Sequence, residues 1–153
     1  MWDRVRQFRK LDGRARRVFW RAAALLPLLS ASLRLRGFRK TQEFLQRHVS
    51  STTGQFKSSI VSEAQMSARM VRAAARNGIG HPSCLEESLA LWWLLGRRGI
   101  ASDLRVGVRK SRERMEAHAW VECAGAALNE PEDAHRHFAA FDAALSSLPQ
   151  EQQ

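Results

Sequence analysis

Little in this 153-residue chain could serve as a covalent or metallic frame. It has two cysteines, Cys84 and Cys123, and no Cys-x-x-Cys, which excludes a disulfide scaffold. With no signal-peptide pattern, both thiols are expected to be reduced and the protein cytoplasmic. The longest nearly apolar run, Ala22 to Leu33, has 12 residues and contains Pro27. A helix that crosses a bilayer needs about 20. There is no Gly-x-x-x-x-Gly-Lys loop and no dinucleotide fingerprint, so no nucleotide cofactor is expected, and no other cofactor is implied. His135-x-His137 with Cys123 lacks a fourth ligand at a normal spacing, which argues against a zinc site.

What is present is globular in composition, 44% hydrophobic and 26% charged. The acids are unevenly placed. Residues 1–47 hold 13 Lys/Arg against 3 Asp/Glu, and the remainder holds 12 of each, so the whole net charge of +10 is N-terminal. Such an arm fits an acidic protein, the acidic part of a peptide, an anionic membrane surface or nucleic acid. It lacks the interleaved aromatics and motifs of nucleic-acid readers, so no nucleic acid is expected. A solvated helical face that also touches the core is the plainer alternative.

Apolar spacing of three and four predicts helix from Val5 to Leu35, with Pro27 kinking or ending it. Gly37 is a break, and Phe38 to Val49 reads as a second helix. The Ser/Thr-rich stretch from 50 to 59 reads as a linker. Helical spacing resumes from Ile60 to Arg76, with Asn77-Gly78 as a left-handed cap. Ser83-x-x-Glu86 is a capping box behind Pro82, and it opens a helix from Cys84 to Arg97. After Gly99 the period becomes two: Leu104, Val106 and Val108 make one strand, Met115 to Cys123 a second, and Ala127 to Glu130 a third after a three-residue turn at Ala124–Ala126. Residues Pro131 to Leu148 have helical spacing through Ala134, Phe138, Phe141 and Leu145. The expected class is α+β: N-terminal helices, then a central helix packed on a small antiparallel sheet. The expected division is a basic helical region over 1–49, a linker over 50–59 and a core over 60–153.

Two residues stand out chemically. Cys84 follows the cap residue and so occupies the first helical position, where free N–H groups and the positive dipole end favour a thiolate. Otherwise it is an ordinary small buried side chain. His118 shares a strand face with Glu116, Trp120 and Glu122, which would look into a cleft over the Cys84 helix; otherwise it is a half-exposed strand histidine. A three-residue turn would set Trp120 opposite Glu130 and bring Glu130 to the face of His118, whereas a two-residue turn would not. Cys84, His118 and Glu130 would then be nucleophile, base and orienting carboxylate, with the Cys84 N–H as half of an oxyanion hole. His81 stands in the loop before Cys84, and His48, His135 and His137 read as surface residues.

The run CLEESLALWWLLGRRGIASDLRVGVRK, followed by EAHAWVECAGAALNE, resembles the lasso peptide leader peptidases, cysteine proteases of the transglutaminase-like, papain-related class. The resemblance spans residues 60 to 145. It implies a Cys-His-Asp hydrolase that removes the leader from a ribosomal precursor peptide before a separate macrolactam cyclase acts. Cys84 and His118 match the nucleophile and base. The family pattern ends in Leu-Asn-Asp where this chain has Leu128-Asn129-Glu130, so Asp133 and Asn129 stand beside Glu130 as alternatives for the third member. In related systems a winged-helix domain holds the leader. No strand-turn-strand pattern precedes Cys84, so a separate leader-recognition protein is the expected partner. Two other readings stay open: a transglutaminase-like acyl transferase, and a non-enzymatic basic binding module on the same fold.

Overall fold

Helical spacing in the first third of the chain produces one long helix, α1 (Gly13–Gln46), in a computed structural model that describes residues 12–49, 58–111, 114–129 and 138–140. Pro27 does not end it. The proline ring sits on the exposed side of the helix, away from the packed core. Gly37 does interrupt it, with φ 76° and ψ 176°. Thr41 bridges the interruption: its hydroxyl lies 2.8 Å from the Gly37 carbonyl, to which it donates, and 2.9 Å from the Ser32 hydroxyl.

The second helix, α2 (Ser58–Asn77), buries Ala64, Ala68, Val71 and Ala74 on one side. Its ending differs in detail from the expected left-handed glycine cap. The left-handed residue is Gly80, at φ 88°, and not Gly78. Gly78 is needed for space: its N–H donates to the Ala74 carbonyl at 2.7 Å, and a Cβ there would stand 2.7 Å from the same oxygen.

The third helix, α3 (Cys84–Gly96), starts on the expected capping box. The Glu86 N–H donates to the Ser83 hydroxyl at 3.4 Å, and the Ser83 N–H donates back to the Glu86 carboxylate. From Ser88 to Gly96 every residue except Trp93 is buried, as its apolar sequence requires. Arg98 closes the far end, paired with Glu63 and donating to the Ser67 hydroxyl at 3.3 Å, which ties α3 to α2.

Strands β1 (Asp103–Ser111) and β2 (Arg114–Cys123) pair antiparallel with Gly107 opposite His118. Two short strands flank them, β3 (Ala126–Ala127) on β2 and β4 (Ala139–Ala140) on β1, giving the order β3-β2-β1-β4. Two expectations are corrected here. The turn after β2 has two residues, Ala124 and Gly125, with φ 52° and 77°; Cys123 pairs with Ala126 and Glu122 with Ala127. Positive φ at both positions gives the twist that a tight hairpin needs, and it displaces the three-residue turn. At 139–140 the chain is a strand and not a helix, because pairing with Val108 and Gly107 outweighs the local spacing. The rest of the expected C-terminal helix lies outside the described residues.

One apolar cluster joins the layers. Ala22, Leu26 and Leu29 from α1, Val71 and Ala74 from α2, Leu89 and Leu95 from α3, and Leu104, Val121 and Cys123 from the sheet all belong to it. The basic N-terminal helix is therefore part of the core. Each fully buried leucine contributes about 1.5–3 kcal/mol relative to an exposed one.

Candidate active site

Cys84 is the first residue of α3, half-buried, directly behind the satisfied cap at Ser83. At that position its backbone N–H has no intrahelical acceptor, and the aligned peptide dipoles of the helix converge on the thiol. Glu86, two residues on, carries a carboxylate held below its ordinary range. Burial opposes this, but hydrogen bonds from Ser30 and Ser83 and the charge of Arg34 outweigh it. These bonds stitch the first turn of α3 to α1. Beside them lies a groove of about 460 Å³, walled by Leu26, Pro27, Ser30, Arg34 and Leu35 of α1 and by Ile79 to Pro82 of the loop that leads into Cys84. His81 lines this groove, which neither Cys84 nor His118 lines.

His118 stands in β2 on one side with Glu116, Trp120 and Glu122, as the alternation predicts, but the helices pack on the other, apolar side, so the expectation that this face looks over the Cys84 helix is corrected. Across that face Arg109 pairs with Glu116 at 2.7 Å and Arg105 with Glu122 at 3.2 Å, and the Trp120 indole N–H donates to Glu122 at 2.9 Å. The imidazole lies near-parallel to Trp120, with ring centroids 6.3 Å apart, and 5.1 Å from the ring of Phe138. The Arg109 guanidinium covers the Phe138 ring at 4.7 Å. The opposite face gives Leu104, Val121 and Cys123 to the helical core. His118 thus sits among aromatic rings and ion pairs, and the side of the strand packed with the helices is the apolar one.

A buried polar chain joins the Cys84 helix to the His118 strand. The Ser88 hydroxyl, one turn beyond Cys84, donates to the carbonyl of Ala119, the residue after His118, at 2.9 Å. Asn129 Nδ2 donates to Ser88 Oγ at 2.8 Å, and Asn129 Oδ1 accepts the Val121 N–H at 2.8 Å. Arg72 of α2 donates to the Asn129 carbonyl. Ser88 and Asn129 are both buried, so each lost bond would leave a desolvated polar group. Both ends of the Asn129 amide are engaged in holding α3 on β2.

Glu130 and Asp133 lie outside the described residues, as do His135 and His137. The two-residue turn removes the register argument that set Glu130 against Trp120. After Ala127 the Leu128 N–H still donates to the Val121 carbonyl, but the Val121 N–H is taken by the Asn129 side chain, so the ladder ends there.

The two thiols differ. Burial pushes the Cys123 thiol above its ordinary range, and the negative charge of Asp103 adds to this. Its position in the apolar cluster is that of a small hydrophobe. His48 is on the surface, its ring nitrogen 2.9 Å from the Phe44 carbonyl. Among the described residues no group of three or more His, Cys, Asp or Glu is placed to hold a metal ion.

Sequence reasoning missed two supporting residues, Ser88 and Gly107, and named Asn129 only as an alternative third member, whereas its amide joins α3 to β2. Ser88 gave no local sign. Gly107 did: a lone glycine inside a strand often marks a close approach. A Cβ there would lie 2.9 Å from Trp120 Cη2 and 3.0 Å from Phe138 Cβ, the two residues against the His118 ring.

Residues 25–141 match the profile described as Transglutaminase-like superfamily, and the match includes both α3 and β2. No curated protein and no solved structure matches the chain.

Proposed function

Because the chain belongs to the transglutaminase-like superfamily, whose enzymes usually work through Cys-His-Asp, we propose that it is a cysteine peptidase that removes the leader from a ribosomally synthesised lasso precursor peptide. The observation that carries the reading is Cys84 at the capped N-terminus of α3, on a helix pinned to the His118 strand one turn from the thiol. The sequence resemblance supplies the substrate class.

This reading requires the His118 imidazole to come within hydrogen-bond reach of the Cys84 thiol once the peptide is bound; His118 then takes the Cys84 proton and the thiolate attacks the carbonyl carbon of the scissile bond. The oxyanion takes a hydrogen bond from the Cys84 N–H. The imidazolium then returns the proton to the departing amine, which leaves as the new N-terminus of the core peptide. The leader stays on Cys84 as a thioester until water, deprotonated by His118, releases it as a carboxylic acid. Glu130 orients the imidazole, with Asp133 as its alternative. The groove of Pro27, Leu35 and Ile79 offers the peptide an apolar wall along the loop that leads into Cys84. The freed amine then passes to a separate macrolactam cyclase.

A separate leader-recognition protein is the partner in this scheme, and the reaction is cytoplasmic. Tethering by that partner raises the effective concentration of the scissile bond. The test is incubation with the precursor, with and without the recognition protein, read by mass. Hydrolysis gives leader and core whose masses total the precursor plus one water. The superfamily equally accommodates acyl transfer, and a leader mass increased by an added amine in place of water would establish it. An unchanged precursor with its recognition protein present would favour a non-enzymatic binding module.

A further inference from the structure

The outward side of α1 is an apolar stripe. Trp20, Ala24, Pro27, Leu28, Ala31 and Leu35 are all exposed, Leu28 by 67% and Leu35 by 85%. Their spacing puts them on one side of the helix, opposite the buried Ala15, Val18, Ala22, Leu26 and Leu29. From Trp20 to Leu35 the stripe runs about 22 Å. Three of the six large apolar side chains exposed among the described residues lie on it.

On α1 itself cations border this stripe and acids do not; the nearest acid is Glu86 of α3, which faces Arg34 across the groove. At 100° per residue Arg16 and Arg34 fall along one edge, and Arg14 and Arg21 along the other. Residues 13–42 contain eight Lys/Arg and no Asp/Glu. The helix is long and apolar enough to cross a membrane by length and composition. Its inner side, however, is packed into the core, Ala22 completely, so it lies on the protein as one wall and cannot be surrounded by lipid.

We propose that α1 docks in the plane of an anionic membrane surface, with Trp20, Leu28 and Leu35 among the outer acyl chains and the bordering arginines at the lipid phosphates. Two features favour lipid over an acidic protein. Long cationic side chains run along both edges, where their stems lie on apolar surface while the guanidinium reaches the headgroups. Between Ala22 and Ala31 the exposed side offers no charged group that would set the register of a protein partner. Because Pro27 and Leu35 also wall the groove, its mouth would open beside the membrane.

The full-length chain should co-sediment with vesicles of equal parts phosphatidylcholine and phosphatidylglycerol, much less with phosphatidylcholine alone, and less as salt is raised. Trp20→Ser combined with Leu28→Ser should weaken this binding about tenfold or more while leaving the circular dichroism unchanged, since both side chains are exposed. Replacing Arg14, Arg16 and Arg21 with glutamine should abolish the preference for phosphatidylglycerol. Failure to co-sediment at low salt would overturn the proposal. So would binding that survives the double serine variant, which would be charge adsorption only. A dimer that the same variant converts to monomer would assign the stripe to a second copy instead.

Discussion

The two faces of β2 are one residue apart in sequence and opposite in character. Ala119, Val121 and Cys123 are buried and feed the helical core, with Val121 and Cys123 in the apolar cluster. Glu116, His118, Trp120 and Glu122 carry ion pairs, an indole hydrogen bond and ring contacts. The alternation of a single strand therefore separates what holds the molecule together from what can do chemistry. The same division sorts the two thiols. Cys123 lies on the core side with its thiol pushed up by burial, and Cys84 lies half-buried at the capped N-terminus of α3.

The contrast between the thiols gives the largest expected effect. Cys84→Ala should lower leader cleavage by about a thousandfold or more, and Cys123→Ala should leave kcat within about twofold. Iodoacetamide should label Cys84 first, as peptide mapping would show. Preferential labelling of Cys123 would reverse the assignment.

Next in size is the acid proposed to orient His118. Glu130→Gln should lose a large part of kcat, about a hundredfold, with KM little changed, and Glu130→Asp should keep most of it. If Glu130→Gln is silent and Asp133→Asn is crippled, the third member lies three residues later.

Gly107→Ala tests whether the outer face is built around His118. An added methyl must displace Trp120 or Phe138. Cleavage should fall about tenfold through kcat, and the pH dependence of kcat should shift, beyond the about 1–3 kcal/mol of overpacking that the melting temperature reads separately. An unaltered pH profile would mean that the aromatic contacts do not position the imidazole.

The inner side should respond in stability instead. Ser88→Ala strands the Ala119 carbonyl and the Asn129 N–H, at about 2 kcal/mol by denaturant unfolding. The smallest effect is at the cap. A carboxylate whose pKa is lowered by folding stabilises the fold above its unfolded pKa, and this is lost as pH falls through the folded value. Glu86→Gln should therefore flatten the loss of stability below about pH 4.5 and cost little near neutrality.

What was legible in the sequence was short-range. The capping box at Ser83 and Glu86 spans four residues, and the faces of β1 and β2 repeat every two. Both Gly37 and the helix at Cys84 follow from such local patterns. The polar chain behind the site was not legible, because its members lie 41 and 57 residues apart and neither Ser88 nor Asn129 differs locally from a surface polar residue. The turn was misread for a related reason. Ala124-Gly125 lacks the Asn-Gly or Asp-Gly that marks a two-residue hairpin, so its length was set by pairing and not by turn chemistry. Whether Pro27 kinks, ends or is tolerated in its helix depends on an exposure that the local sequence does not carry. The strand at Ala139–Ala140 arises from an edge of β1 that only the folded chain presents.

The same turn leaves room for improvement by design. Ala124 is the one non-glycine described with a positive φ, and a side chain pays for that handedness in both steric strain and folding free energy. Ala124→Gly or Ala124→Asn relieves it at a position exposed to solvent, with an expected gain of about 0.5–1 kcal/mol. In such a background, a loss of fold in the Ser88 or Gly107 variants could be offset and any remaining loss of rate read as chemistry alone.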